Sequence, residues 1–389
     1  MSLSFPTVRK QKHHPAAPER EPGPRNDKHR AGKVIAFAVA VALAGGLYLM
    51  CIVQPGATRP KVLAAVPNGE LAAIHDSGFV VAQDDGFVFM DTHGSSFPVS
   101  GSYEYVIASG PWIIGMDPPL MYLITPGQAA SEFPTVRVAQ TERPLPLLGG
   151  DVVVTSRPQS SARFGEPWSL RAFSGEGLVL WENVIPHAPF TAVCDGQHLV
   201  VAAVDISGGG TPWAMCLSRH TGQRHWQQPL GPGAWRHLAV CPDGNVRAVL
   251  DSGAYCLTRE GAIAWVYRPD GTVVSAAATS EILAVSVSKR LSGSTSLILG
   301  NAQIAVLGAD GEILWERKCS DSNPRLFIWE GRLIVLESSG LSCFELETGN
   351  RLFSYKVDGY PITSAKNVIL IHKDRNLALV DPGISKSVR

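Results

Sequence analysis

Charge is scarce in this 389-residue chain: Asp, Glu, Lys and Arg make up only 17% of it, against about a quarter in ordinary soluble domains. Surface helices need a charged outer face, so a mainly helical protein is disfavoured. The seven cysteines include no Cys-x-x-Cys and no Cys-Cys pair, which removes thioredoxin-like redox sites and zinc ribbons. None of the nine Asn residues opens an Asn-x-Ser/Thr acceptor, which favours a bacterial envelope over a eukaryotic secretory route. Net charge is zero, yet residues 1–33 hold eight basic and three acidic side chains, leaving 26 basic and 31 acidic for the rest. The larger part is therefore mildly acidic and a poor ligand for nucleic acid. What the chain does have is turn formers, 38 Gly and 28 Pro.

Residues 34–53 (VIAFAVAVALAGGLYLMCIV) are 20 consecutive residues without a charge, long enough to cross about 30 Å of hydrocarbon as a helix. Arg20, Arg25, Lys28, Arg30 and Lys33 precede the run and only Arg59 and Lys61 follow closely. That bias places the N-terminus in the cytoplasm and exports the rest. A cleaved signal peptide is the rival reading, but QPGATRP after the run offers no good small-x-small cleavage site. A lipoprotein site at Cys51 is opposed by Met50, where a small residue is wanted. Residues 1–33, with Pro6, Pro15, Pro18, Pro22 and Pro24 among basic residues, read as a disordered cytoplasmic tail. Residues 54–61 read as a short linker. Cys194, Cys216, Cys241, Cys256, Cys319 and Cys343 lie in the exported part. They read as buried thiols, with one or two structural disulfides as the alternative.

Self-similarity organises residues 62–389. Five segments share an apolar strand, a Gly-containing turn and a short strand with an aromatic four positions after the Gly. The pairs are Gly177 and Trp181, Gly222 and Trp226, Gly261 and Trp265, Gly311 and Trp315, and Gly349 and Phe353. With 8% aromatic residues in the chain, such a fixed offset is not chance. Glycine supplies the positive φ of a tight hairpin, and alternating apolar residues mark half-buried strands. A second hairpin precedes most units, as in 195–204 and 243–250, which predicts four-stranded antiparallel sheets. The closing aromatics are 45, 39, 50 and 38 residues apart, close to the ~40–45 residues of a propeller blade. Weaker copies at 78–97, 112–127 and 367–383 extend the array. The last has room for only part of a blade, and residues 62–66 can supply its missing outer strand. The expectation is an all-β, eight-bladed propeller of 41 residues per blade, with seven blades as the alternative, after a single transmembrane helix.

The pattern Thr-Gly-x-x-x-Trp following an apolar strand resembles the repeat of pyrroloquinoline-quinone-type propellers. That superfamily holds quinoprotein alcohol dehydrogenases and the outer-membrane assembly scaffold lipoprotein BamB. The resemblance covers nearly all of 62–389. It implies that Trp181, Trp226, Trp265, Trp315 and Phe353 dock each blade on its neighbour, a structural role.

Candidate chemistry fails its spacing tests. Quinone catalysis needs a planar cofactor site, a Ca²⁺ held by carboxylate and amide oxygens and a base, and no motif locates them. Ser286 and Lys289 spell Ser-x-x-Lys, but the period-two pattern around them puts the pair on opposite faces of a strand. Gly208, Gly209 and Gly210 precede no Gly-Lys-Ser/Thr, and Asp84, Asp85 and Asp91 miss calcium-loop spacing. His220 and His225 flank one turn without a sequence-local carboxylate, so no metal and no cofactor is assigned. Long loops at 155–168, 205–213 and 288–302 offer Arg157, Arg163, Trp168, Trp213, Lys289 and Arg290 as partner contacts. The sequence reads as a non-catalytic, membrane-tethered scaffold for envelope or membrane proteins, without nucleic acid. The alternative is a quinone-dependent dehydrogenase.

Overall fold

The computed structural model describes residues 61–381, apart from 76, 84–85, 100, 102, 110, 127–133, 149–150, 160–166, 208, 291–298, 339, 357–359, 366–367 and 374–375. The expected tail at 1–33, the membrane helix at 34–53 and all of the linker before Lys61 lie outside the described residues. Contacts separate Met1–Pro55 from Gly56–Arg389, and the second unit is the one described. Among the described residues there is no helix, hence none long and apolar enough to cross a membrane.

Period-two apolar segments separated by turns pair as antiparallel hairpins and give an eight-bladed β-propeller. The blades, numbered in chain order, span 70–99, 105–137, 143–185, 188–229, 235–267, 272–318 and 325–356, with blade 8 at 360–381. Blade 8 takes its outer strand from the other end of the domain: Lys61–Pro67 runs antiparallel to Asn376–Asp381, from Lys61 opposite Asp381 to Pro67 opposite Asn376. That pairing covers the edge that an open array of blades would leave. In blade 3 the inner strand is split. Arg143–Pro144 pairs with Val152–Pro158, while Leu147–Leu148 pairs in parallel with the inner strands of blades 2 and 4. Blades 2 and 4 are thereby tied into one nine-stranded sheet.

The core is distributed between blades rather than gathered at one centre. Eight apolar clusters occur among the described residues, each formed across one seam. Residues on one face of a strand serve one seam and alternate residues serve the next, which is why the second and third strands are apolar on both faces. Arg247 breaks this rule. It lies across from Cys256 and Trp265 in blade 5, where the corresponding second-strand residues of other blades are Val154, Val200, Ala284 and Ile334.

Candidate functional site

The repeated aromatic is aimed by a β-bulge. In blades 3 to 7 the outer strand carries one extra residue, Leu180, His225, Ala264, Leu314 or Leu352, immediately before the aromatic. A bulge bends the strand and turns the following side chain out of the regular alternation. Each Trp then reaches the last hairpin turn of the next blade. Trp181 Nε1 donates to Arg219 O at 2.7 Å, Trp226 to Arg259 O at 2.8 Å, Trp265 to Ala309 O at 2.7 Å and Trp315 to Leu346 O at 2.8 Å. The indoles lie on the motif glycines: a Cβ on Gly222 would come within 2.5 Å of Trp181, and one on Gly349 within 2.6 Å of Trp315. Phe353 has no N–H to donate and packs among Ile369, Ile371, Ala378 and Val380 of blade 8. Val136 takes the aromatic's place against Gly177, and Ala64 stands at that position in blade 8.

The proposed contact loops are shorter than the sequence suggests, because strands extend into them. Trp168 opens the strand Trp168–Ser174 and Trp213 lies within Thr211–Ser218; both pack on the core between blades 3 and 4. Trp213 stacks on His187 with ring centroids 4.5 Å apart. Both are strand residues rather than loop residues, and the Pro and Ser around them hide the strand alternation in the sequence. Arg157, in Val152–Pro158, pairs with Glu182 at 3.3 Å. Lys289, in Leu283–Arg290, is well exposed and pairs with Asp270 at 2.8 Å. Ser286 is fully buried on the same strand, so no serine–lysine pair forms. Arg163 and the side chain of Arg290 lie outside the described residues.

Two polar arrangements were not visible in the sequence. Across blade 3 runs a charged row: Arg171 Nη1 donates to Glu142 at 3.0 Å, Thr155 donates to the same carboxylate, and the Ala139 N–H donates to it at 3.0 Å. Glu142 is almost fully buried. At the outer strand Ser169 donates to Glu182 at 2.7 Å, and this bond, ahead of the nearby arginines, holds the Glu182 carboxyl below its ordinary range. The second arrangement is a groove of about 700 Å³ between blades 4 and 5, where His198, His220, His225 and Arg259 converge. His198 Nδ1 stands 3.2 Å from Asp195, and its ring meets His225 edge-on at 5.6 Å. Burial pushes the Asp195 carboxyl up, but hydrogen bonds from the Gln197 and His198 N–H groups outweigh it and the balance is a lowered pKa.

No three His, Cys, Asp or Glu side chains among the described residues stand together to hold a cation. The six cysteines in the described part are free thiols, five buried and Cys319 half-buried.

Residues 166–388 match the family model described as outer membrane protein assembly factor BamB. Comparison with curated proteins gives no match. Among solved structures the chain is similar to Saccharomyces cerevisiae Sqt1, with 11% identity over 83% of this chain and 99% of that one at a TM-score of 0.58. It is similar to a quinohemoprotein alcohol dehydrogenase of Pseudomonas putida, with 8% identity over 85% and 78% of the two chains at 0.56. BamB of Moraxella catarrhalis gives 12% identity, 83% and 99% coverage and 0.52. These identities show the propeller fold alone. Family membership comes from the repeat sequence itself: with more than half of its length matched, the chain belongs to the PQQ-like propeller family described as outer membrane protein assembly factor BamB.

Proposed function

We propose that the chain is a non-catalytic, membrane-tethered propeller scaffold for protein–protein interaction in the cell envelope. The observation that carries this reading is the match of residues 166–388 to the BamB assembly-factor family. Supporting it, the repeated aromatics are engaged in seams and the charged candidates Arg157 and Lys289 in ion pairs, so neither set resembles catalytic machinery. In this reading residues 34–53 span the membrane, 1–33 remain in the cytoplasm, and the propeller stands in the periplasm or outside the cell. Its partners are envelope or membrane proteins, met on exposed turns and rim of the rigid ring.

The test is crosslinking of the full chain in its native membrane, with identification of the captured proteins. Parallel samples receive quinone and Ca²⁺ and are assayed by absorption spectrum and dye-linked alcohol oxidation. Reproducible capture of envelope proteins by a colourless, inactive chain is expected. A bound quinone with alcohol oxidation overturns the scaffold reading. An export-dependent reporter fused after Arg389 tests the orientation, and cytoplasmic reporter activity refutes it.

A further inference from the structure

Exposed aliphatic side chains in this ring recur at one level. Val62, Val179, Ile263 and Ile313 hold the same position, the residue just before the bulge of an outer strand, in blades 8, 3, 5 and 6. They are between 42% and 59% exposed. The bulge residues Leu314 and Leu352 stand beside this line in blades 6 and 7, also exposed. In the other blades the outer strand begins after the last hairpin turn, and in blade 8 the antiparallel register sets Lys61 opposite Asp381, so rotation about the ring axis places all these starts at one end of the propeller. Blades 5 to 8 thus present apolar side chains along one rim, with Arg351 at the equivalent position of blade 7 beside Leu352. Scattered single apolar residues on a surface are ordinary; recurrence at one structural level in successive blades is not scattered.

The chain enters the ring at this same end. Lys61 opens the outer strand of blade 8, one residue from Val62. Sixty residues precede it, and the apolar run 34–53 is separated from Lys61 by only seven residues, which span at most about 25 Å when fully extended. We infer that the propeller rests on the bilayer surface through this apolar rim, its entry end toward the lipid. The inference rests on the tethered reading above and adds an orientation to it. Aliphatic side chains at one height are what a flat disc needs to sink them together into the interfacial layer. That end carries Glu260, Asp310, Glu312 and Glu347 together with Lys61, Arg219, Arg259 and Arg351. Charge at this end is mixed, so contact depends on apolar insertion rather than on attraction to anionic headgroups.

The test uses the full chain reconstituted in phosphatidylcholine vesicles, with a fluorescent bimane placed by Ile263→Cys or Ile313→Cys. Arg268→Cys is the control, since it follows the opposite end of the same blade 5 outer strand. The parent chain gives the labelling background. Brominated acyl chains are expected to quench the labels at 263 and 313 and to leave the label at 268 unaffected. Absence of quenching at 263 and 313, or equal quenching at 268, overturns the inference. Labels shielded from aqueous iodide yet untouched by brominated chains mean that a protein covers the rim, which also overturns it. Alkaline extraction separates the two readings. A chain that stays with the vesicles but shows unquenched labels refutes the orientation alone, whereas a chain released by alkali but quenched at neutral pH refutes the tether and upholds the rim contact.

Discussion

Trp265 and Gly311 meet so closely across the seam between blades 5 and 6 that a methyl group on the glycine would lie 2.7 Å from the indole Cδ2. The same pair recurs as Trp181 with Gly222, Trp226 with Gly261 and Trp315 with Gly349. A single five-residue motif therefore does two jobs: its glycine receives the preceding blade and its aromatic reaches the following one.

Trp265→Ala should cost about 3–5 kcal/mol, the usual penalty for emptying a large aromatic site. Gly311→Ala should cost more than Gly331→Ala. Both glycines have positive φ, 86° and 69°, but a Cβ on Gly331 meets open space. The Gly331 variant isolates the backbone penalty of roughly 1–2 kcal/mol, and the difference measures the clash with the indole. Urea unfolding of the three variants is the measurement. Equal stability of the two glycine variants would refute the contact.

Removing Arg171 should strand a carboxylate. Arg171→Met leaves the buried Glu142 with only Thr155 and a backbone N–H, and breaking one side of such a pair costs about 3–5 kcal/mol. The double variant with Glu142→Gln should recover much of that loss. A double variant no more stable than the single one would show that the ion pair is not the source of the penalty.

Arg247 is the reverse case. It is 1% exposed, its Nε and Nη1 have no partner, and it offers one 3.3 Å bond to Ala309 O and a face over Trp265. Arg247→Met should raise stability by about 1 kcal/mol or more, as replacing buried charge by matched apolar volume often does. A lower melting temperature in the variant would contradict this.

The cysteines set a pH dependence. Burial pushes the Cys194, Cys241 and Cys343 thiols up to about 11 and the Cys216 and Cys319 thiols to about 12. Thiol reagents at pH 8 should leave them unmodified in the native chain and label them after unfolding. Because the folded pKa lies above the unfolded one, this contribution to stability is complete below about pH 8.5 and is lost as pH rises towards the folded values. Alkaline unfolding that begins below pH 8 would need another cause.

The ring was legible because its signal is periodic. Gly222 and Trp226 stand four residues apart in a pattern repeated around the chain, and neighbouring copies meet whatever fills the intervening hairpins. The strand 61–67 was also readable, because an incomplete final blade leaves one vacancy that a stray apolar run can fill. Glu142 and Arg171 were not, being 29 residues apart with no repeat to relate them. His198 joins His225 only because the first and last hairpin turns of blade 4 share one end of the sheet, a fact of topology that spacing does not carry. Trp168 and Trp213 read as loop residues because each lies at or near the start of a strand beside turn-forming residues, and a half-buried aromatic packed on the seam outweighs them.

Closing blade 8 with strands from both ends also orders events in time. Lys61–Pro67 is the first strand of the ring to leave the ribosome, and its partner Asn376–Asp381 is the last. More than 300 residues separate them, the greatest sequence separation between paired strands in this ring, and such pairings are slow to form. Until that partner is made, the first strand remains an unmatched edge. Any cell that makes this protein must keep that edge from finding another chain for as long as translation lasts.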